Sequence, residues 1–121
     1  MASITLYGIA NCDTVKRARA WLAAQGAAHD FHDFKKAGVP AQELAAWLAV
    51  LGSERLLNRA GTTWRKLDDA QRDAAGDAAG AAALMRAQPS VIRRPVVRWA
   101  DGSFSVGFAA DDWARRLKGR G

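Results

Sequence analysis

Cys12 is the single cysteine of this 121-residue chain, and its surroundings suit a reactive sulfur. A short apolar strand runs through a turn at Gly8 into a helix that begins at the cysteine. Unpaired backbone N–H groups and the helix dipole favour a thiolate over a thiol at such a helix start. Asn11 and Asp13 flank the sulfur, and Lys16 follows one turn later, although a lone cysteine also serves often as an inert packing residue. Cys12 is therefore a candidate nucleophile.

The elements around the cysteine form a strand-helix-strand pattern. Residues 3–7 alternate like a short buried strand, and a helix with one apolar stripe then runs to Gly26, a glycine placed as at many helix C-termini. A second strand is predicted over about 28–34. Two strands joined by a helix normally pair in parallel through a right-handed crossover, so these segments predict a parallel pair.

The middle of the chain is helical and rich in alanine, from about Pro40 to Gln88. Apolar residues recur at helical spacing in its first part, and Ser53 is placed to cap a short helix that ends at Leu57. A further helix is predicted from about Asp77 to Ala87, stopped by Pro89. We interpret this stretch, about residues 38–88, as a helical insertion.

Strand signals return near the C-terminus. Two β-rich segments, 95–99 and 104–106, flank an Asp101-Gly102 turn and predict a β-hairpin, and a last helix is predicted over about 110–117. The order is βαβ, helices, ββα. The sequence therefore predicts an α/β fold with a mixed sheet, in a single domain over residues 1–121.

Composition narrows the class of protein. The net charge of +6 and the pI near 10.2 attract phosphate backbones, but the arginines are dispersed and no nucleic-acid motif appears, which argues against direct nucleic-acid binding. No apolar run is long enough to cross a membrane and the N-terminus lacks signal-peptide features, so a cytoplasmic protein is predicted. With one cysteine and two histidines, the chain is expected to form neither an internal disulfide nor a metal centre. Redox chemistry would therefore need a second thiol from another molecule.

Three motifs, in the right order along the chain, carry a family resemblance. The segments Leu6–Lys16, Leu57–Arg65 and Pro89–Val96 resemble the arsenate reductase-like (ArsC/Spx) family of thioredoxin folds, most closely its YffB-like branch. The resemblance implies that Cys12 is the nucleophile. It also implies that Pro95 is the cis-proline facing the sulfur and that Arg94 points towards it. Without the resemblance, the alternative for Pro95 is an ordinary trans proline that opens an edge strand, and the local sequence favours a solvated strand-end arginine at Arg94.

The chain departs from both activities known in that family. The resemblance implies three oxyanion-binding arginines in arsenate reductases, but the first aligns to about Asn58, with Arg59 beside it, and the last aligns to Gly107. Glycine cannot replace a charge-assisted bond, so efficient arsenate reduction is not expected. Spx-type regulators carry a Cys-x-x-Cys switch, and here Val15 occupies the second position.

These residues predict a thiol oxidoreductase that depends on glutathione. Cys12 is expected to form a mixed disulfide or covalent adduct with a small thiol, disulfide or oxyanion substrate, and glutathione or glutaredoxin is expected to supply the resolving thiol. Glutathione would act as a co-substrate, with no bound cofactor and no metal. The alternative is a non-catalytic, Spx-like regulator that binds the transcription machinery. The candidate catalytic residues are Cys12 and Arg94, and the candidate binding residues are Asn11, Thr14, Val15, Lys16, Arg59 and Pro95.

Overall fold

The structure, a computed structural model, describes residues 3–118. The chain divides into two compact units. Within the described residues, one unit is formed by residues 3–34 and 94–118, and the other by Lys35–Arg93. The interpretation as one domain with an insertion over about 38–88 stays a prediction, and the ends of the predicted 1–121 span lie outside the described residues.

The elements follow the predicted order, with additional short helices. In chain order they are β1 (Ile4–Gly8), α1 (Asp13–Ala24), β2 (His29–Asp33), α2 (Phe34–Ala37), α3 (Ala41–Leu51), α4 (Ser53–Leu56), α5 (Thr62–Arg65), α6 (Asp69–Ala74), α7 (Ala78–Ala87), a 3₁₀ turn (Pro89–Val91), β3 (Val96–Arg98), β4 (Phe104–Val106) and α8 (Ala110–Lys118). None of the helices within residues 3–118 is long and apolar enough to span a membrane.

The first unit contains a four-stranded mixed sheet in the order β2-β1-β3-β4. The strands β1 and β2 pair in parallel, whereas β3 pairs antiparallel with both β1 and β4. The predicted parallel pair and the predicted hairpin are both confirmed. The register places Val96, the first residue of β3, opposite Tyr7 near the end of β1. The chain therefore enters β3 at the end of the sheet where β1 ends and the loop to Cys12 begins.

Apolar side chains of α1 and α8 pack on this sheet. Trp99 and Trp113 lie with ring centroids 5.1 Å apart in an edge-to-face arrangement. The buried Trp99 indole Nε1 donates a 2.9 Å hydrogen bond to the hydroxyl of Ser105, which is only 5% exposed. The remaining buried members of this core are Ile4, Leu6, Val15, Ala18, Leu22 and Val97. This core fixes α1, and with it the start of the helix, against β1.

The second unit is helical, as predicted, but its details differ from the sequence interpretation. The prediction that Ser53 caps α4 was wrong, since Gly52 is the N-cap residue, with a φ of 81°, and Ser53 is the first residue of the helix. The short helices α5 and α6 were not predicted, and neither was α2 before them. Asp68 and Gln71 form a reciprocal capping box at the start of α6, a signature that the sequence itself carries.

Candidate active site

The loop between β1 and α1 presents Cys12 at the start of the helix. The cysteine N–H donates a 3.2 Å hydrogen bond to the Ile9 carbonyl, which closes a tight turn after the strand. The Cys12 carbonyl then accepts the Lys16 N–H at 2.9 Å. The Cys12 backbone is extended, with φ −89° and ψ 126°, and α1 begins at the next residue. Cys12 is therefore the N-cap residue of α1, where the first N–H groups of the helix have no partner within the helix.

The half-buried sulfur lies in surroundings that favour its anion. Burial raises the pKa of the Cys12 thiol, but the backbone N–H of Val15, the Arg94 guanidinium and the backbone N–H of Thr14 together outweigh burial and hold that pKa below its usual value. Both amides belong to the first turn of α1, where the helix dipole also favours negative charge. The site can hold a thiolate, the nucleophilic form of cysteine.

Arg94 and Pro95 reach this site from the other end of the chain. The Arg94–Pro95 peptide bond is cis, the conformation that the family resemblance implies. Pro95 is buried, and its carbonyl accepts the Gly107 N–H at 2.9 Å. Arg94 acts on Cys12 both as a hydrogen-bond donor and as a positive charge. The pairing of β3 with β1 thus brings together a cysteine and an arginine that are far apart in sequence.

The other candidate residues of the helix start differ in exposure. Asn11 and Lys16 are exposed, Thr14 is half-buried, and Val15 is fully buried in the core. Thr14 and Val15 therefore act on the sulfur through their backbone, whereas the side chains of Asn11 and Lys16 face solvent. Their assignment to substrate or glutathione binding stays a prediction.

Arg59 belongs to the second unit, in the loop between α4 and α5. Its guanidinium lies 3.6 Å from the Glu54 carboxylate and stacks over the Trp64 ring at 5.5 Å from the centroid. Both contacts are on the surface, and surface ion pairs are weak. Its role in binding stays a prediction.

Two glycines of the first unit matter for the site. Gly107, to which the last arginine of the family pattern aligns, has a φ of 82°, a conformation that strains residues with a side chain. Gly8 has no such conformation, but an added Cβ there would lie 2.8 Å from the Val15 Cγ2 atom. Gly8 was predicted to lie in the turn, but it is the last residue of β1, and its close approach to the helix leaves no local sequence signal. Within residues 3–118, no group of three or more His, Cys, Asp or Glu side chains is placed to hold a metal ion.

The sheet order, the cysteine at the N-terminus of α1 and the cis-proline before β3 define a thioredoxin-like fold. The sequence matches the ArsC family over residues 7–116. An uncharacterized protein from Haemophilus influenzae is 37% identical over 105 residues, which cover 87% of this chain and 90% of that protein. The chain belongs to the ArsC family.

Solved structures agree with this assignment. The YFFB protein is 50% identical in sequence, and its structure superposes with a TM-score of 0.89 over 95% of this chain and 99% of the YFFB chain. An arsenate reductase (ArsC) related protein from Brucella melitensis is 48% identical, with 96% and 95% of the two chains covered and a TM-score of 0.73. The similarity to both structures extends over nearly the whole chain.

Proposed function

We propose that this protein is a glutathione-dependent thiol oxidoreductase in which Cys12 is the nucleophile. The observation that carries the proposal is the position of the half-buried sulfur between two helix-start amides and the Arg94 guanidinium, which together lower the pKa of its thiol. A thiolate attacks disulfides, and its reactivity rises with the fraction that is ionised at ambient pH. The positive end of α1 also stabilises negative charge that develops at the sulfur during exchange.

The reaction consists of two balanced thiol–disulfide exchanges. The Cys12 thiolate attacks the glutathione sulfur of a mixed disulfide between a substrate thiol and glutathione. The S–S bond breaks, and the substrate leaves as a thiolate while Cys12 becomes glutathionylated. A second glutathione, as its thiolate, then attacks this new disulfide and leaves as oxidised glutathione, which regenerates Cys12. The substrate thiol is regenerated at the expense of one glutathione thiol, because the other half of the oxidised glutathione comes from the mixed disulfide, and no second cysteine of this chain is required.

Arg94 has two roles in this proposal. Its charge stabilises the Cys12 thiolate in the free protein, and its guanidinium binds an anionic group of the incoming molecule, such as a glutathione carboxylate. A multiply charged oxyanion such as arsenate needs more than one such donor. Gly107 supplies no side chain, and its left-handed backbone disfavours an arginine there. We therefore propose that disulfides are better substrates than arsenate for this chain.

Mass spectrometry of the intact protein tests the first exchange. After incubation with oxidised glutathione, we expect the wild-type protein to gain one glutathione and Cys12→Ser to gain none. Turnover is then measured with a mixed disulfide of glutathione and cysteine, by coupling the oxidised glutathione formed to a glutathione reductase. No adduct on the wild-type protein, or a rate equal to that of Cys12→Ser, would refute the proposal. An unreactive Cys12 in a protein that still captures RNA polymerase would favour the regulator instead.

A further inference from the structure

Gly8 and Val15 make the tightest contact between β1 and the helix start. A Cβ atom at Gly8 would lie 2.8 Å from the Val15 Cγ2 atom, 3.5 Å from Cγ1 and 3.7 Å from Cβ. The first of these distances is too short for two carbon atoms, since their optimal separation is about 3.5–4.0 Å. The strand therefore approaches the first turn of α1 as closely as it does only because residue 8 has no side chain.

Neither partner of this contact can move away cheaply. Gly8 is held in the sheet by its pairing with Asp33 of β2. Val15 is fully buried in the core that also contains Ala18 and Leu22. A valine on a helix has one strongly preferred rotamer, so its methyl groups cannot simply rotate out of the way. A side chain at residue 8 would therefore displace the first turn of α1.

That first turn is also the part of α1 that acts on the sulfur. Taken singly, the backbone N–H of Val15 favours the Cys12 thiolate more than the hydrogen bond of Arg94, its charge or the Thr14 amide does. The turn between Ile9 and Cys12 connects Gly8 directly to the cysteine. The position of Val15 relative to β1 thus sets the position of its amide relative to the sulfur.

We propose that Gly8 is a positioning residue, whose missing side chain lets Val15 seat against β1 and so fixes the Val15 amide at the Cys12 sulfur. This inference rests on the proposed function, because it concerns the same thiolate. It goes beyond that proposal by assigning the activation of the sulfur to a contact on the strand side of the helix. Arg94, the charged group that acts on the sulfur, and the charged sequence neighbours Asp13 and Lys16 are untouched by the substitutions that test it.

The test is a double-mutant cycle with Gly8→Ala, Val15→Ala and the double variant. In the double variant, the atom nearest to the new methyl group is the Val15 Cβ, at 3.7 Å, an ordinary van der Waals distance. The rate of alkylation by iodoacetamide is measured across pH for each variant, with circular dichroism and a thermal midpoint as measures of folding. Because alkylation follows the thiolate fraction, we expect Gly8→Ala to raise the alkylation midpoint and to slow the reaction at least about threefold below it. Val15→Ala keeps the amide and removes the two methyl groups, so it serves as the reference, and the double variant is expected to react within about twofold of Val15→Ala.

The pattern of rescue decides the result. A double variant with the midpoint of Val15→Ala, together with a raised midpoint in Gly8→Ala, supports the inference. If Gly8→Ala alone does not fold, a folded double variant with the midpoint of Val15→Ala still supports it. An unchanged midpoint in a folded Gly8→Ala protein would overturn it while leaving the proposed function intact. A folded double variant with a midpoint above that of Val15→Ala would overturn it as well. A wild-type midpoint at the usual thiol value would overturn both proposals.

Discussion

Replacing Arg94 by methionine removes the guanidinium from the Cys12 sulfur and keeps a side chain of similar length. Arg94 acts on the thiolate as a hydrogen-bond donor and as a charge. A hydrogen bond to a charged group contributes about 1.5–3 kcal/mol, and we take ~1 kcal/mol here because both residues are half-exposed and solvent screens them. That energy corresponds to roughly a fivefold change in the equilibrium between thiolate and thiol. Arg94→Met should therefore raise the pKa of Cys12.

The assay is the rate of iodoacetamide alkylation from about pH 5 to about pH 10, where the thiolate fraction sets the rate. Below the wild-type midpoint we expect Arg94→Met to react about fivefold more slowly, and at high pH we expect the rates to converge because both thiols are then ionised. Arg93→Met is the matched control, since it removes an exposed neighbouring arginine. Identical midpoints in the wild type and Arg94→Met would refute the reasoning, and so would an equal effect of Arg93→Met.

Two further predictions concern stability. Because the folded protein lowers the pKa of Cys12, the thiolate stabilises the fold fully above the unfolded thiol pKa of about 8.5, and this stabilisation is lost as the pH falls through the lower folded pKa. In urea unfolding from about pH 5 to about pH 9.5, the advantage of the wild type over Cys12→Ser should grow with pH, and a constant difference would contradict the prediction. Ser105→Ala should cost about 1–3 kcal/mol of unfolding free energy, because the buried Trp99 indole loses its acceptor. A loss below about 0.5 kcal/mol in urea would show that the indole finds another partner.

The parts of the fold that depend on local signals could be predicted from the sequence. The glycine at residue 26 has a φ of 69° just after α1, and Asp101 and Gly102 form the hairpin turn that their residue types predict. The position of Cys12 at the start of α1 also follows from a local pattern of strand, turn and helix. In each case a few neighbouring residues determine the backbone conformation.

Features that depend on distant residues could not be predicted in this way. Ser53 is a good N-cap residue by type, but Gly52 takes that place because α3 ends there and the chain turns at a positive φ. The short helix α5 is supported by Arg72 of α6, which donates hydrogen bonds to the Trp64 and Arg65 carbonyls at 3.3 and 2.7 Å. Only about 5–6% of X–Pro bonds in folded proteins are cis, so the prediction of a cis bond at Pro95 rested on the family resemblance and not on the local sequence.

The candidate site combines these two kinds of information at one sulfur. The amides of Thr14 and Val15 reach Cys12 because the three residues are neighbours on one helix start, which the sequence indicates. Arg94 reaches it only because β3 pairs with β1 in a register that sets Val96 opposite Tyr7. A slip of one residue in that pairing would turn the side chains of β3 to the opposite face of the sheet and move Arg94 along β1. The position of the Arg94 charge at the sulfur therefore depends on the register of the sheet, whereas the position of the Thr14 and Val15 amides depends on the helix start.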